Sequence, residues 1–561
     1  MRSSRNFLPV PAGRLTVADY ARHEPEKSLL HEVIRADLVP FLVRSRSEGA
    51  PVARFVEREI RAYLACGVLA HGFIRVHCDA CGHDRLVAFS CKGRGFCPSC
   101  GGRRMADTAA HLVDRVLPEV PIRQWVLTLP YPLRYRCAWN AKLTSQVLRC
   151  FLRSIFADQR RRARKLFGIR KGQCGSVTFI QRFGSALNLT PHFHTLVLDG
   201  VYVGPSHGPA DFAALPPPET EDAARVMAGT ARRILLLLER CGFRDEDDPL
   251  AGDDPLMAML GAASIRSRIA TGPEAGEPWR RLGDRVEPAE EDEAGVEARA
   301  SVSPRCVRQG GMSLHADVAV PARDRQRLER LCRYVARPPL ALGRLEAMAD
   351  GRLAYRLKTP WQDGTTHVVM ERRELLERLA PLIPPPRAHQ VRYHGVLAPC
   401  ASGRDRVVPA GAHAKEASLS ASEVRSEANG GSKSGVDVGG GGEGETIVAR
   451  AASDLRPDRS ELLARRIAWA DLLKRVFEVD ALRCPGCGGT MRLIAAITDP
   501  SVARRILECL ALPPRAPPHE IDREPVVDPI AFELALAEAQ LDPGSDFDQS
   551  PVEDPAPDDA F

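Results

Sequence analysis

Apolar positions along the chain follow two periods. The shorter is clearest in Pro191-His192-Phe193-His194-Thr195-Leu196-Val197-Leu198, which reads as a strand ending in the turn pair Asp199-Gly200. Alternation puts His192 and His194 on one face and Phe193 on the other. Gln124-Trp125-Val126-Leu127-Thr128-Leu129, stopped by Pro130, Ser176 to Gln181 and Ser313 to Val320 read as further strands. After Asp199-Gly200, Val201-Tyr202-Val203 is expected to fold back as a hairpin. The longer period predicts helices where apolar residues recur three and four apart. These are two helices between about 28 and 69, one over about 142–167 (Leu143, Val147, Phe151, Ile155), one over 219–240, and one over 324–337 (Leu328, Leu331, Cys332, Val335). Strand, helix, strand, strand, helix predicts an α+β fold, a ferredoxin-like antiparallel sheet with helices on one face.

A chain of 561 residues exceeds one core. The expected divisions are a flexible segment 1–27, a small helical and zinc-ribbon domain 28–115, and a catalytic domain 116–400. An acidic inserted excursion at 271–300, a flexible Gly-rich linker 401–455, a C-terminal helical knuckle segment 456–515 and an acidic disordered tail 516–561 complete the set. The longest aliphatic run, 234–238, is too short to cross a bilayer, and the first fifteen residues hold no apolar signal core. A cytoplasmic protein with no membrane partner is the expectation. The net charge of +6 hides an asymmetry: residues 1–200 carry 32 Lys+Arg against 15 Asp+Glu, a net of +17, which leaves −11 for the remainder. A basic front half predicts a polyanionic partner such as nucleic acid, although a solvated basic surface has the same composition. Arg160, Arg161, Arg162, Arg164, Lys165, Arg170 and Lys171 exceed what a helix C-terminus needs and extend such a track.

Six of the sixteen cysteines form C-x-x-C pairs. Cys78, Cys81, Cys97 and Cys100, with fifteen residues between the pairs, have zinc-ribbon spacing, and four thiolates from two such turns close a tetrahedral Zn(II) shell. Cys91 is a fifth thiol in the loop that could compete as a ligand. Arg103 and Arg104, with Lys92 and Arg94, are placed to meet phosphate, or serve solubility. Cys484-Pro485-Gly486-Cys487 has no second pair after it; it is half a zinc site, with Cys509 or His519 as distant partners, or a turn with two idle thiols.

Two imidazoles on one strand face form half of a divalent-metal site. Gln181, at the end of the preceding strand, offers an amide oxygen as third ligand, and an open N/O site of this kind suits Mg(II) or Mn(II). On the 324–337 helix, Arg327, Arg330, Tyr334 and Arg337 share a stripe apart from the apolar one. A tyrosine flanked by guanidinium groups is suited to attack a phosphodiester, with a metal polarising the phosphoryl oxygen.

His192-Phe193-His194 resembles the His-hydrophobic-His motif of HUH nucleases. The fuller pattern resembles the rolling-circle transposases of the IS91 family, with its insertion-sequence-common-region branch. The stretches that carry it are Cys78 to Arg104, Gln124 to Pro130, Gln181 to Gly200, Leu331 to Pro339 (L-C-R-Y-V-A-R-P-P) and Arg392 to Pro399 (R-Y-H-G-V-L-A-P). The resemblance implies an HUH nuclease domain with Tyr334 as nucleophile, His192 and His194 as metal ligands, and a zinc-binding N-terminal domain holding Cys78, Cys81, Cys97 and Cys100. Many members carry His where this chain has Gln181. Two-tyrosine members place a second Tyr four residues before the nucleophile; Arg330 stands there, so the resemblance is to a single-tyrosine branch. The function implied is metal-dependent cleavage and strand transfer of single-stranded DNA at element ends and target through a 5′-phosphotyrosine. An HUH replication initiator or relaxase, or a catalytically inactive zinc-dependent DNA-binding protein, would share much of the same pattern.

Overall fold

The protein's structure, a computed structural model, describes residues 24–204, 210–243, 248–283, 304–361, 363–409, 482–512 and 547–548. Two compact units can be distinguished. The smaller comprises 1–27, 65–90 and 467–518, and the larger 28–64, 91–466 and 519–561. Residues 28–115, expected as one domain, are therefore shared between them. No helix among the described residues is long and apolar enough to cross a membrane.

The larger unit is built on a mixed sheet whose middle is the histidine strand, Leu189–Leu198. Gly175–Phe183 and Ile122–Thr128 pair antiparallel on its two sides. Val391–Gly395 continues the sheet beyond the first, and Met312–His315 then Cys306–Gln309 continue it beyond the second. Phe547–Asp548 pairs in parallel at the Val391–Gly395 edge. The twofold period of the histidine strand sorts its side chains between two cores. Phe193 and Val197 join Trp125, Leu127, Phe151 and Leu152 under the helices Tyr131–Trp139, Ala141–Phe167 and Thr220–Arg240. Leu196 and Leu198 join Val177, Phe179, Leu112 and Leu331 under the helices Pro98–Arg115 and Arg325–Val335.

Helices thus cover both faces of the sheet, a correction to the expectation of one. The cause is visible in the strands, where Val177, Phe179, Leu196 and Leu198 make the second face as apolar as the first. The 27-residue helix Ala141–Phe167 is closed at both ends by its sequence: Asn140 accepts from the Leu143 amide at 2.8 Å, and Gly168 takes the left-handed conformation that ends it.

Three more expectations change. Gly200–Val203 does not fold back on the histidine strand but pairs with Asp211–Ala214 in a separate two-stranded sheet. The described start of the expected excursion, 271–283, is packed: Trp279 is buried and Arg280 meets Glu374 at 2.8 Å. An acidic composition does not prevent docking when a tryptophan anchors the segment. The rest of it, 284–300, lies outside the described residues, as do 1–23, 410–455 and, apart from 547–548, the tail 516–561. Within 456–515, residues 482–512 form a strand, Arg492–Ile497, and a helix, Pro500–Cys509, so that segment is not helical throughout.

The smaller unit is a three-stranded antiparallel sheet. Phe73–His77 lies in the middle, with Asp84–Ala88 on one side and Arg492–Ile497 on the other. Leu69, Phe73, Leu86, Ala503 and Leu507 form its core.

Gly395 ends the strand Val391–Gly395 of the larger sheet at φ +62°, and a Cβ there would meet the Cys174 carbonyl oxygen. Gly395→Ala is expected to lower the stability of the larger unit by at least about 1–2 kcal/mol, read as an earlier thermal transition in calorimetry.

Candidate active site and cysteine centres

The second face of the large sheet carries one polar row among its apolar ones. Gln181, His192, Thr128 and Ser313 are successive cross-strand partners on four neighbouring strands. Directly paired residues project from the same side, so the row is set by register alone. His194 stands one step along the strand, paired with Phe179 and Val126.

The two imidazoles converge: His192 Nε2 lies 3.0 Å from His194 Nε2. His192 Nδ1 lies 2.6 Å from the Thr190 carbonyl oxygen, so it carries the proton and donates it, and Nε2 keeps the lone pair. His194 Nδ1 lies 2.6 Å from the amide of Gln124. The amide nitrogen Nε2 is the atom at that distance and donates to Nδ1, so His194 carries its proton on Nε2 and donates it to His192 Nε2. An ion taking both imidazole Nε2 lone pairs requires the Gln124 amide to turn its oxygen toward Nδ1. Burial pushes the His192 pKa down to about 4, with Arg337 and Arg134 adding to the shift against the Thr190 contact. Burial also holds His194 well below its ordinary value, helped by His192 and Arg337. Both rings are therefore neutral near pH 7, the form that binds metal.

Gln181 is 5% exposed and uses its two amide atoms differently. Nε2 donates to the Val335 carbonyl at 2.6 Å, fastening the last turn of the tyrosine helix, Arg325–Val335, to the sheet. Oε1 is buried with no hydrogen-bond partner among the described residues. With the two imidazoles, this unpartnered buried oxygen on the cross-strand neighbour of His192 could serve as a third, oxygen-type donor to a hard divalent cation.

The tyrosine helix starts with Asp324 accepting from the Arg327 amide at 3.0 Å and buries Leu328, Leu331, Cys332 and Val335. That orientation leaves Tyr334 at the edge of the polar row, 39% exposed. Its ring stands edge-on to His194, with centroids 6.0 Å apart. Two cations flank the same ring: Arg337 at 5.0 Å, which also covers Phe183, and Lys358 at 4.4 Å. Arg327 and Arg330 are exposed on the same helix, and Arg103 is exposed on Pro98–Arg115. Arg104 donates to the Lys92 carbonyl at 3.2 Å.

Gln124 and Lys358 were not anticipated. Gln124 had a readable signal, a polar residue in a strand whose following residues are mainly apolar. Lys358 had none, because only the fold carries that loop to the tyrosine. The basic run in the last turns of the long helix is a network more than a track. Arg161 pairs with Asp158 and Asp222 at 2.8 and 2.9 Å, and buried Arg162 lies between the same two carboxylates. Arg164 and Lys165 remain exposed.

The four cysteines expected to share one shell separate. Cys78 and Cys81 group with Cys484 and Cys487 in the smaller unit, while Cys97 and Cys100 lie in the larger with Cys91; within each group the sulfurs lie within 4.8 Å of one another. Cys91, weighed only as a competitor, approaches Cys100 at 3.4 Å. Spacing fixes each turn locally but not which turns face each other. Cys97 is the N-cap residue of the helix Pro98–Arg115 and Cys100 lies in its first turn.

Residues 43–129 match the family described as "Transposase zinc-binding domain", and residues 175–206 and 277–405 match that described as "Putative transposase". Both matches are to transposase families, the first of them the zinc-binding domain of IS91-type transposases. The transposase for insertion sequence element IS801 of Pseudomonas savastanoi pv. phaseolicola is similar to this chain, 31% identical over 139 residues. That stretch is 24% of this chain and 32% of the relative, so the chain spans about a third of the curated relative it matches. No solved structure matches. The IS91 zinc-binding match and the thiol groups together support structural zinc. Gln181, His192, His194, Tyr334, Arg337 and Lys358 all fall inside the "Putative transposase" match; Cys484 and Cys487 fall outside both.

Gln181→Met should leave the buried Val335 carbonyl without its donor, at a cost of about 1–3 kcal/mol. The expected local signature is faster amide hydrogen exchange over the last turn of the tyrosine helix; unchanged exchange there would show that apolar packing alone holds it.

Proposed function

We propose that this chain is a transposase of the IS91 family that cuts and rejoins single strands of DNA, with Tyr334 as its nucleophile. The observation that carries the reading is the meeting of the Tyr334 ring with His194, beside converging imidazoles and an unpartnered Gln181 oxygen. The phenol comes from a late helix and the imidazoles from a strand more than a hundred residues earlier, so their adjacency is a product of the fold.

His192, His194 and Gln181 would hold Mg(II) or Mn(II), which when bound polarises a phosphoryl oxygen. Tyr334 Oη bonds to phosphorus at the element end, and the bond from phosphorus to the 3′-oxygen breaks. The phenol gives its proton to solvent, and the departing oxygen takes one up as a free 3′-OH. The product is a 5′-phosphotyrosine that conserves the diester. A target-strand 3′-OH then attacks the same phosphorus, breaks the bond to Tyr334 and restores the phenol, so joining needs no nucleotide triphosphate. Arg337 and Lys358 are placed to hold the non-bridging oxygens, where charge grows during attack. Arg327 and Arg330 continue that positive stripe along the helix, and Arg103 and Arg104 add cations near the zinc-binding region. Arg330, where two-tyrosine members carry a second phenol, makes this a single-nucleophile reaction in which one tyrosine handles both strands in turn.

Incubation with a single-stranded oligonucleotide carrying the element end and Mg(II) or Mn(II) is expected to give a covalent adduct that survives denaturing electrophoresis. Tyr334→Phe should abolish it, and His192→Ala or His194→Ala should lower nicking by roughly 10³-fold or more while leaving binding within a few-fold. Lys358→Ala should slow cleavage about 10²-fold. Tight binding by the unaltered protein with no adduct would leave a DNA-binding protein in place of the enzyme.

A further inference from the structure

The two knuckles that meet in the smaller unit are built alike. In the first, the Cys78 carbonyl accepts from the Gly82 amide at 2.9 Å, and the Cys78 amide donates to the His83 carbonyl at 2.9 Å. In the second, the Cys484 carbonyl accepts from the Gly488 amide at 2.8 Å, and the Cys484 amide donates to the Gly489 carbonyl at 2.8 Å. Gly82 and Gly488 take the same left-handed conformation, φ +75° and +74°. Each turn thus presents two sulfurs on one side. The turns interlock crosswise, with Cys78 Sγ 3.4 Å from Cys487 Sγ and Cys81 Sγ 3.4 Å from Cys484 Sγ.

All four sulfurs lie within 4.8 Å of one another, and four thiolates around tetrahedral Zn(II) stand about 3.8 Å apart. Val76, Met491 and Ile74 pack against Cys78 and Cys484. The strands behind the knuckles are hydrogen-bonded, with Val76 opposite Leu493 and His77 opposite Arg492. Arg492 also meets Asp79, inside the first knuckle, at 2.6 Å. The supports of the two half-sites are therefore joined independently of any ion.

We propose that Cys78, Cys81, Cys484 and Cys487 form a single structural Zn(II) site made from two stretches of the polypeptide some four hundred residues apart. The four thiols release their protons as four sulfur–zinc bonds form. The site clamps the segment after the catalytic region onto the first β-hairpin of the zinc-binding region, so the zinc-bearing unit is incomplete without residues 482–512. The C-terminal pair is thus neither idle nor dependent on Cys509 or His519.

The full-length protein tests this through its zinc content per chain. Cys78→Ser with Cys81→Ser, and Cys484→Ser with Cys487→Ser, are each expected to remove one equivalent, and the fourfold variant to remove one as well. Two equivalents lost from the fourfold variant, or unchanged zinc in the C-terminal pair variant, would overturn the shared site. Should those variants fail to fold, the native cysteines serve: a protease site placed among Gly439 to Gly442 allows the purified chain to be cut. The C-terminal fragment should then co-elute with the rest while zinc is bound and separate after chelation. A fragment that elutes alone with zinc present, or stays attached once zinc is gone, would overturn the clamp.

Discussion

The structure depends on keeping one polar row in register within an otherwise apolar face. Unpaired imidazole and amide groups buried against Leu196, Phe179 and Leu331 would each cost a few kcal/mol, so every one needs a partner or a ligand. Thr190 and Gln124 orient the two rings, and the Val335 carbonyl takes one side of the Gln181 amide. The same amide joins strand to helix, so the position of the tyrosine and the aim of the third oxygen are set by one side chain. A single-residue slip of the histidine strand would turn His192 and His194 into the opposite core and Phe193 into the site. Phe193, fully buried between them, makes that slip prohibitive.

The rest of the site uses rigid elements for the same reason. Apolar residues on the tyrosine helix commit one stripe to the core, and the remaining stripe must carry the phenol and the cations. Lys358 and Arg337 reach the ring from outside that helix, so its surroundings are positive whichever way the helix end relaxes.

What could be read in the sequence was whatever local geometry decides. Alternation placed both histidines on one face, and helical spacing separated Tyr334 from Leu331 and Val335. What could not be read was pairing at a distance. The C-x-x-C spacing describes a turn, and the turn at Cys78 is satisfied equally by Cys97 and Cys100 or by Cys484 and Cys487; strand pairing with Arg492–Ile497 decides. The order of elements does not say on which side of a sheet a helix lies, although the apolar run Leu196-Val197-Leu198 carried that information. Asp158, three and four residues before Arg161 and Arg162, was a readable sign that those cations are partly spent on structure, whereas Asp222 was not.

The composite small unit also has a consequence in time. Its central strand, Phe73–His77, leaves the ribosome some four hundred residues ahead of the strand that covers its second edge, which at ordinary elongation rates is roughly 20–80 s. Through that interval a nascent chain displays an open β-edge and two waiting thiols. This unit therefore matures only after the whole catalytic region has been made, and until then its exposed strand marks the chain as unfinished.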